Sequence, residues 1–178
     1  MRIGIDIDDT ITKTHEYVIY LKKTYLKEYD PNELLPNEIF LPFIDKHERD
    51  IHKNAELKEG VKEALDYLHK CGHEIIIMSS RGSYYKTIAE DTAYDDSYKY
   101  FKKNNLPFDK LITNLNDKVE SAKENKIDLF IDDNIKTCES IQESGIKVIK
   151  MARFDDRECN LDIAHNWDEI INKIKEMN

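Results

Sequence analysis

Hydrophobic and polar positions divide this chain into short apolar runs and longer amphipathic stretches. Ile3, Ile5 and Ile7 alternate with Gly4 and Asp6, a period of two that predicts a short buried strand. Residues 13 to about 29 change to a helical period, with Tyr17, Val18, Leu21 and Tyr25 on one side. Asp30-Pro31 stops that helix. Residues 31 to 43 hold three of the four prolines and read as loop with short turns, and 44 to 54 as a charged, exposed helix. Leu57, Val61, Ala64, Leu65 and Leu68 then line a helix that Gly72 ends well.

From there apolar runs and helical stretches alternate. Glu74 to Ser79 is continuously apolar in its middle, as in strands covered on both faces of a parallel sheet. A polar, Tyr-rich helix is predicted from about Tyr84 to Lys103. A third strand follows at 110–113, a short helix at 117–125, a fourth strand at 128–133, a helix at 135–144 and a fifth strand at 146–149. Residues 150 to 166 read as irregular, and Trp167 to Met177 as a closing helix. Alternating strands and helices imply a parallel sheet with helices on both faces, and ligands beyond the C-terminal strand ends.

Candidate chemistry collects at those ends. Asp6, Asp8 and Asp9 follow the first strand, Ser79 and Ser80 the second, Asp132 and Asp133 the fourth. Carboxylates that close need a compensating cation or proton. A divalent metal with hard oxygen ligands, Mg²⁺, is one solution; an acidic turn capping the next helix through Thr10 or Thr12 is the other. Asp132 and Asp133 could likewise cap the helix at 135. With a shared metal, Asp6 could attack phosphorus, Asp8 could exchange protons with the leaving oxygen and water, and Ser79 and Lys118 could hold phosphate oxygens. Ser79 offers both a hydroxyl and a backbone N–H. Lys110 and Lys123 compete with Lys118 for that place, and Arg81 reads equally as a phosphate contact or a solvated residue.

Composition narrows the class. The 178 residues are 40% hydrophobic and 35% charged, with 5 Gly and 4 Pro, enough for one core and a small insertion. A net charge of −9 argues against a nucleic-acid polymer as partner. Cys71, Cys138 and Cys159 form no paired motif, so a reducing cytoplasm and thiols that are buried or inert are expected. The first residues form a charged strand rather than a leader, and no apolar run reaches the roughly 20 residues of a membrane span. His47 and His52 read as solvated. Tyr17, Tyr20, Tyr84 and Tyr85 could stack on a base, with helical packing as the alternative.

Asp6-Ile7-Asp8-Asp9-Thr10 resembles the D-x-D-x-T signature of the haloacid dehalogenase (HAD) superfamily of phosphohydrolases. Ile75 to Ser79 is similar to its second motif, Ser80-Arg81 to the T-x-R variant, Lys118 to its third-motif lysine, and Phe130 to Asp133 to its acidic fourth motif. The resemblance covers most of the chain. It implies a Rossmann-like α/β three-layer sandwich with sheet order 5-4-1-2-3, a catalytic core of 1–12 and 58–178, and a small helical cap at 13–57. It further implies Asp6 as nucleophile and Asp8 as general acid/base. Mg²⁺ would be held by Asp6, the Asp8 carbonyl and Asp132, with Asp133, Thr10 and Arg81 supporting from behind. Ile131-Asp132-Asp133-Asn134 and Trp167 look most like the 5'-nucleotidase and deoxyribonucleotidase-like branch, which makes a small phosphorylated metabolite, a nucleotide first, the expected substrate. Phosphoryl transfer within the same fold and a receiver-like phosphoacceptor domain are the competing readings. A receiver places its phosphorylated Asp after strand three, where this chain has Thr113-Asn114.

Overall fold

The computed structural model describes residues 1–82, 92–153 and 156–177. β1 (Arg2–Ile5) is followed by α1 (Thr14–Tyr25), α2 (Asn37–Asn54) and α3 (Val61–Lys70). β2 (Glu74–Met78), α4 (Ala93–Lys103), β3 (Lys110–Ile112), α5 (Lys118–Glu124) and β4 (Leu129–Asp132) come next. α6 (Ile135–Glu143), β5 (Lys147–Met151), β6 (Ile163–Ala164) and α7 (Trp167–Glu176) complete the chain. The strands form one parallel sheet in the order β3-β2-β1-β4-β5-β6. Five of them take the expected order, read from the other edge. β6 is an addition: it pairs Ile163 with Lys150 and Ala164 with Met151. Its two residues are too few for a period of two to show in a sequence.

Strand alternation sorts the apolar residues onto two faces. Ile3, Ile5, Ile75, Ile77, Leu129 and Ile131 pack with α3 and α7 residues such as Leu65, Leu68, Trp167 and Ile170. Ile76, Met78, Phe130 and Val148 face Ala122 of α5 and Cys138 and Ile141 of α6. Gly4 belongs to this second face. A Cβ there would lie 2.6 Å from Phe130 Cδ2 and 3.2 Å from Met78 Sδ. The gap in the Ile-Gly-Ile pattern is therefore the space that Phe130 occupies. Trp167 is buried and its indole N–H donates to the Thr10 carbonyl at 3.1 Å, tying α7 to the loop after β1.

Above the sheet, α1 and α2 share a small core of Leu21, Phe43 and Ile51, flanked by Tyr17, Val18, Leu26 and Ile44. Two expectations fail here. α2 begins at Asn37 and runs through Pro42 instead of starting near 44. A proline lacks one helix donor, and the burial of Phe43, His47 and Ile51 against neighbours outweighs that loss. The helix is also not solvated on all sides: His47 and His52 are 8% and 4% exposed. His47 packs against Tyr25 and Phe43 with ring centroids 4.6 and 4.8 Å away.

α2 is held to α4 by polar contacts. Arg49 Nε donates to Asp96 at 2.9 Å, Lys53 pairs with the same carboxylate at 3.5 Å, and Tyr100 donates to the Ala55 carbonyl at 2.5 Å. The first part of the helix expected from Tyr84, with Tyr84 and Tyr85, lies outside the described residues. The cysteines are free thiols: Cys138 is buried, Cys159 partly so, and Cys71 is exposed. Among the described residues no helix is long and apolar enough to cross a membrane.

Candidate active site

The candidate residues converge on the C-terminal edge of β1 and β4. Parallel pairing of Ile5 with Ile131 puts the residues that follow each strand side by side. Asp6 N–H donates to the Ile131 carbonyl at 2.9 Å, which fixes the start of the acidic loop. Beyond it the chain turns back sharply: Ile11 and Thr12 both donate their N–H to the Ile7 carbonyl, and Asp9 has φ +55. Aspartate tolerates that left-handed conformation better than most residues. Asp9 also accepts from the His15 N–H at 2.8 Å, near the start of α1. The capping role weighed for Thr10 or Thr12 is thus taken by Asp9; Thr12 donates instead to the Ile7 carbonyl. Likewise Asn134, not Asp132 or Asp133, caps α6 by accepting from Lys136 and Thr137.

Asp6, Asp132 and Asp133 each present an oxygen within 4.8 Å of the others, and all three are buried. Lys118, at the start of α5, bridges two of them at 2.6 Å from Asp6 and 2.7 Å from Asp132. Lys110 and Lys123 stay exposed. Asp133 accepts from Arg153 at 2.8 Å and from the Thr10 hydroxyl at 3.4 Å. Asn134 N–H donates to the other oxygen of Asp132 at 2.8 Å.

Burial pushes the Asp6 carboxyl well above the usual carboxylate range; Lys118 opposes this, and the neighbouring aspartates add to it. Burial, then Asp132 and Asp9, push Asp133 up to about 7. Lys118 is held more basic than an ordinary lysine: burial works against its charge, but Asp6 and Asp132 prevail. Three carboxyls against two cations leave an anionic balance made of hard oxygen donors, and that set fits Mg²⁺.

Asp8 stands apart. Its carboxylate accepts a bidentate bond from Arg81, 3.0 Å from Nε and 2.7 Å from Nη2, and a bond from Thr14 at 2.7 Å. Burial works against its charge, but the Arg81 guanidinium holds it well below the usual carboxylate range. Two carboxyls two residues apart therefore carry opposite protonation tendencies. The Asp8 carboxylate is thus committed to Arg81 and Thr14.

Arg81 is buried rather than solvated. It also reaches the His52 carbonyl and the Ser97 hydroxyl, each at 3.4 Å. Gly82 follows with φ +85, and a side chain there would run into Asn114 Oδ1. Ser79 is fully buried, and its N–H is already given to the Ile112 carbonyl at 2.9 Å, so only the hydroxyl remains for a ligand. That hydroxyl accepts from Arg81 N–H at 3.1 Å. Ser80 lines the site cavity.

That cavity measures about 650 Å³ and joins the carboxylates to α1 and α2 through Val18, Phe40, Ile44 and Ile51. Arg153, Thr14 and Glu48 are among its polar residues that escaped the sequence reading. Arg153 lies two positions past the end of β5, where the strand-end rule reaches it. Thr14 and Glu48 stand in no motif, and their partners Asp8 and His52 are seen only in the structure.

No protein-family model matches the chain. Over 161 residues, 84% of this chain and 79% of the other, it is 32% identical to the Bacillus subtilis protein named "Putative nucleotidase YqfW". This chain belongs to that family of proteins named "Putative nucleotidase". Another relative, Nucleotidase CA_C3379 of Clostridium acetobutylicum, is 28% identical over 185 residues, 96% of this chain and 91% of its own. The fold matches that of a HAD family hydrolase from Deinococcus radiodurans, crystallised with bound phosphate and sodium, at a TM-score of 0.68 and 11% identity. That match covers 98% of this chain and 95% of the other. The doubly covered parallel sheet is thus the fold seen in HAD hydrolases, the fold that the resemblance in D-x-D-x-T and the acidic fourth motif implies.

Proposed function

We propose that this chain is a Mg²⁺-dependent phosphatase that hydrolyses small phosphomonoesters, nucleoside monophosphates first, through an aspartyl-phosphate on Asp6. The observation that carries the reading is the pairing of opposites: Asp6 in an anionic, lysine-bridged cluster and Asp8 in an arginine clamp beside it. Relatives named nucleotidases support the choice of substrate class.

Asp6, the Asp8 carbonyl and Asp132 would hold Mg²⁺, with Asp133 beside them; the ion would offset the charge of cluster and phosphate. Lys118 gives N–H donors to the phosphate oxygens, as Ser79 gives its hydroxyl. An Asp6 oxygen attacks phosphorus as the ester P–O bond breaks, and the leaving oxygen takes the proton of Asp8. Water then loses a proton to Asp8 and attacks phosphorus, and the P–O bond to Asp6 breaks. Arg81 suits Asp8 to the second step, where it acts as a base. The first step requires that bond to loosen and Asp8 to take up a proton from water beforehand. A helical cap at 13–57 would cover the substrate in both.

The test is phosphate release from nucleoside monophosphates, sugar phosphates and p-nitrophenyl phosphate, with Mg²⁺ and with EDTA. Metal-dependent release is expected. Asp6→Asn should stop it while the fold survives, and an active Asp6→Asn variant would remove Asp6 as nucleophile. Phosphate passed to an added alcohol in preference to water would make the enzyme a phosphotransferase.

A further inference from the structure

Among the described residues, His52 Nδ1 is the one buried side-chain polar atom without a hydrogen-bond partner. Nothing in the reaction above uses it. A buried donor or acceptor left unbonded is destabilising, so its presence calls for a reason. The atom belongs to a residue that lines the site cavity. Its ring is held neutral: burial, with Arg81 adding to it, pushes His52 down to about 3.

A neutral imidazole has one donor nitrogen and one acceptor. Nε2 faces the buried Glu48 carboxyl, with 3.8 Å between Nε2 and Oε1. The carboxyl favours the proton on Nε2, which leaves Nδ1 with a lone pair.

Phe40, Ile44, Glu48 and His52 recur every four residues along α2 and all line the cavity. They form one stripe on the helix, about 18 Å long at the usual helical rise. Its polar end is the end next to the reacting groups, since the His52 carbonyl accepts from the same Arg81 that holds Asp8. The apolar end, Phe40 and Ile44 with Val18 of α1 opposite, lies farther out. A ligand along this stripe lies beside His52 near its phosphate and against an apolar wall beyond; its donor has to enter the covered space at Nδ1.

We propose that the α2 stripe reads the leaving group of the substrate: His52 Nδ1 accepts a hydrogen bond from an O–H or N–H donor, and Phe40 and Ile44 pack against an apolar, flat part. This rests on the phosphatase reading and narrows it. A nucleoside has both parts in that order, a hydroxylated sugar next to the phosphate and a base beyond it. A simple sugar phosphate offers only the first, and p-nitrophenyl phosphate only the second. The sugar hydroxyl is the nearer donor, and an amino N–H on the base is the other source of the same chemistry.

The experiment compares kcat and KM of the full chain and of His52→Leu. The substrates are nucleoside, 2'-deoxynucleoside and 2',3'-dideoxynucleoside 5'-monophosphates, with bases that carry or lack an amino group, and p-nitrophenyl phosphate. In the wild type, substrates that keep the donor should be favoured. In His52→Leu that preference should fall about tenfold, through KM rather than kcat, as the loss of one hydrogen bond implies. The melting temperature should rise, because the unbonded nitrogen is gone.

A loss confined to the hydroxyl series assigns the donor to the sugar; a loss confined to the amino series assigns it to the base. His52→Asn, which can present a lone pair in much the same place, should restore most of the preference. It also serves if the leucine variant fails to fold. Phe40→Ala should lower the preference for nucleotides over ribose 5-phosphate. Unchanged preferences in His52→Leu, with a lower melting temperature, would make His52 a packing residue and overturn the inference while the phosphatase reading stands. No release from any substrate by the wild type would overturn both.

Discussion

Arg81 decides how Asp8 behaves. A carboxylate in a bidentate guanidinium bond resists protonation, so Arg81 trades proton supply for proton acceptance at Asp8. Arg81→Leu should raise the Asp8 pKa and move the acidic limb of the kcat/KM profile to higher pH. A limb that stays in place would mean that another group sets it. The same pair bears on stability. Its folded pKa is depressed, so its contribution is present above the usual aspartate value of about 3.9 and fades as pH falls below it. Breaking a largely buried pair costs about 3 kcal/mol. Urea unfolding should therefore show Arg81→Leu weaker than wild type at pH 7, with a smaller difference at pH 3. At this scale the carboxylates, Ser79 and Lys118 were legible because each ends a strand or opens the helix after one. The partners of Asp8 and Asp133 were not. Arg81 and Arg153 sit in loops whose composition reads equally well as solvated, and only the fold shows where their guanidinium groups go.

Elements are set by what they pack against, and α2 and β1 show this from opposite sides. Charged residues and Pro42 hide α2 in the sequence, since a proline and a polar face argue for a loop or an exposed helix. Its burying stripe is interrupted by Glu48 and His52, which face the cavity, so the period does not advertise a buried helix. β1 is the reverse case. Its alternation is plain, and the single anomaly, Gly4, has a partner in Phe130 that no local pattern reveals. Gly4→Ala should overpack the sheet face and cost about 1–3 kcal/mol, read as a lower denaturation midpoint with unchanged slope. Pairing it with Phe130→Leu should recover part of the loss, because the two side chains contest one space. If the double variant is weaker by the sum of the single effects, the crowding is not between these two residues.

At the scale of the molecule, the sheet brings together charges that repel, and folding must bear that repulsion. The order of five strands followed from the family resemblance, and it alone places Asp6 beside Asp132; the sixth strand carries no candidate residue. Burial raises Asp6 and Asp133 above their usual values, the second to about 7. A carboxyl with a raised folded pKa favours the fold fully only below its unfolded value, near 4. It loses that contribution as pH climbs through the folded pKa. Without metal the protein should therefore lose stability between about pH 4 and pH 7. A divalent cation that binds only the folded, ionised cluster reverses this by mass action, adding about 2.7 kcal/mol at a hundredfold excess over its Kd. Protons compete with it below pH 7. The rise in melting temperature on adding Mg²⁺ over EDTA should thus be small at pH 5 and large at pH 8. Asp133→Asn should flatten the metal-free pH dependence by removing one of the carboxyls that titrate in that range. A shift of equal size at both pH values would place the ion away from the Asp6, Asp132 and Asp133 cluster. No shift at either would mean that the cluster holds no ion and is balanced by cations such as Lys118 and Arg153.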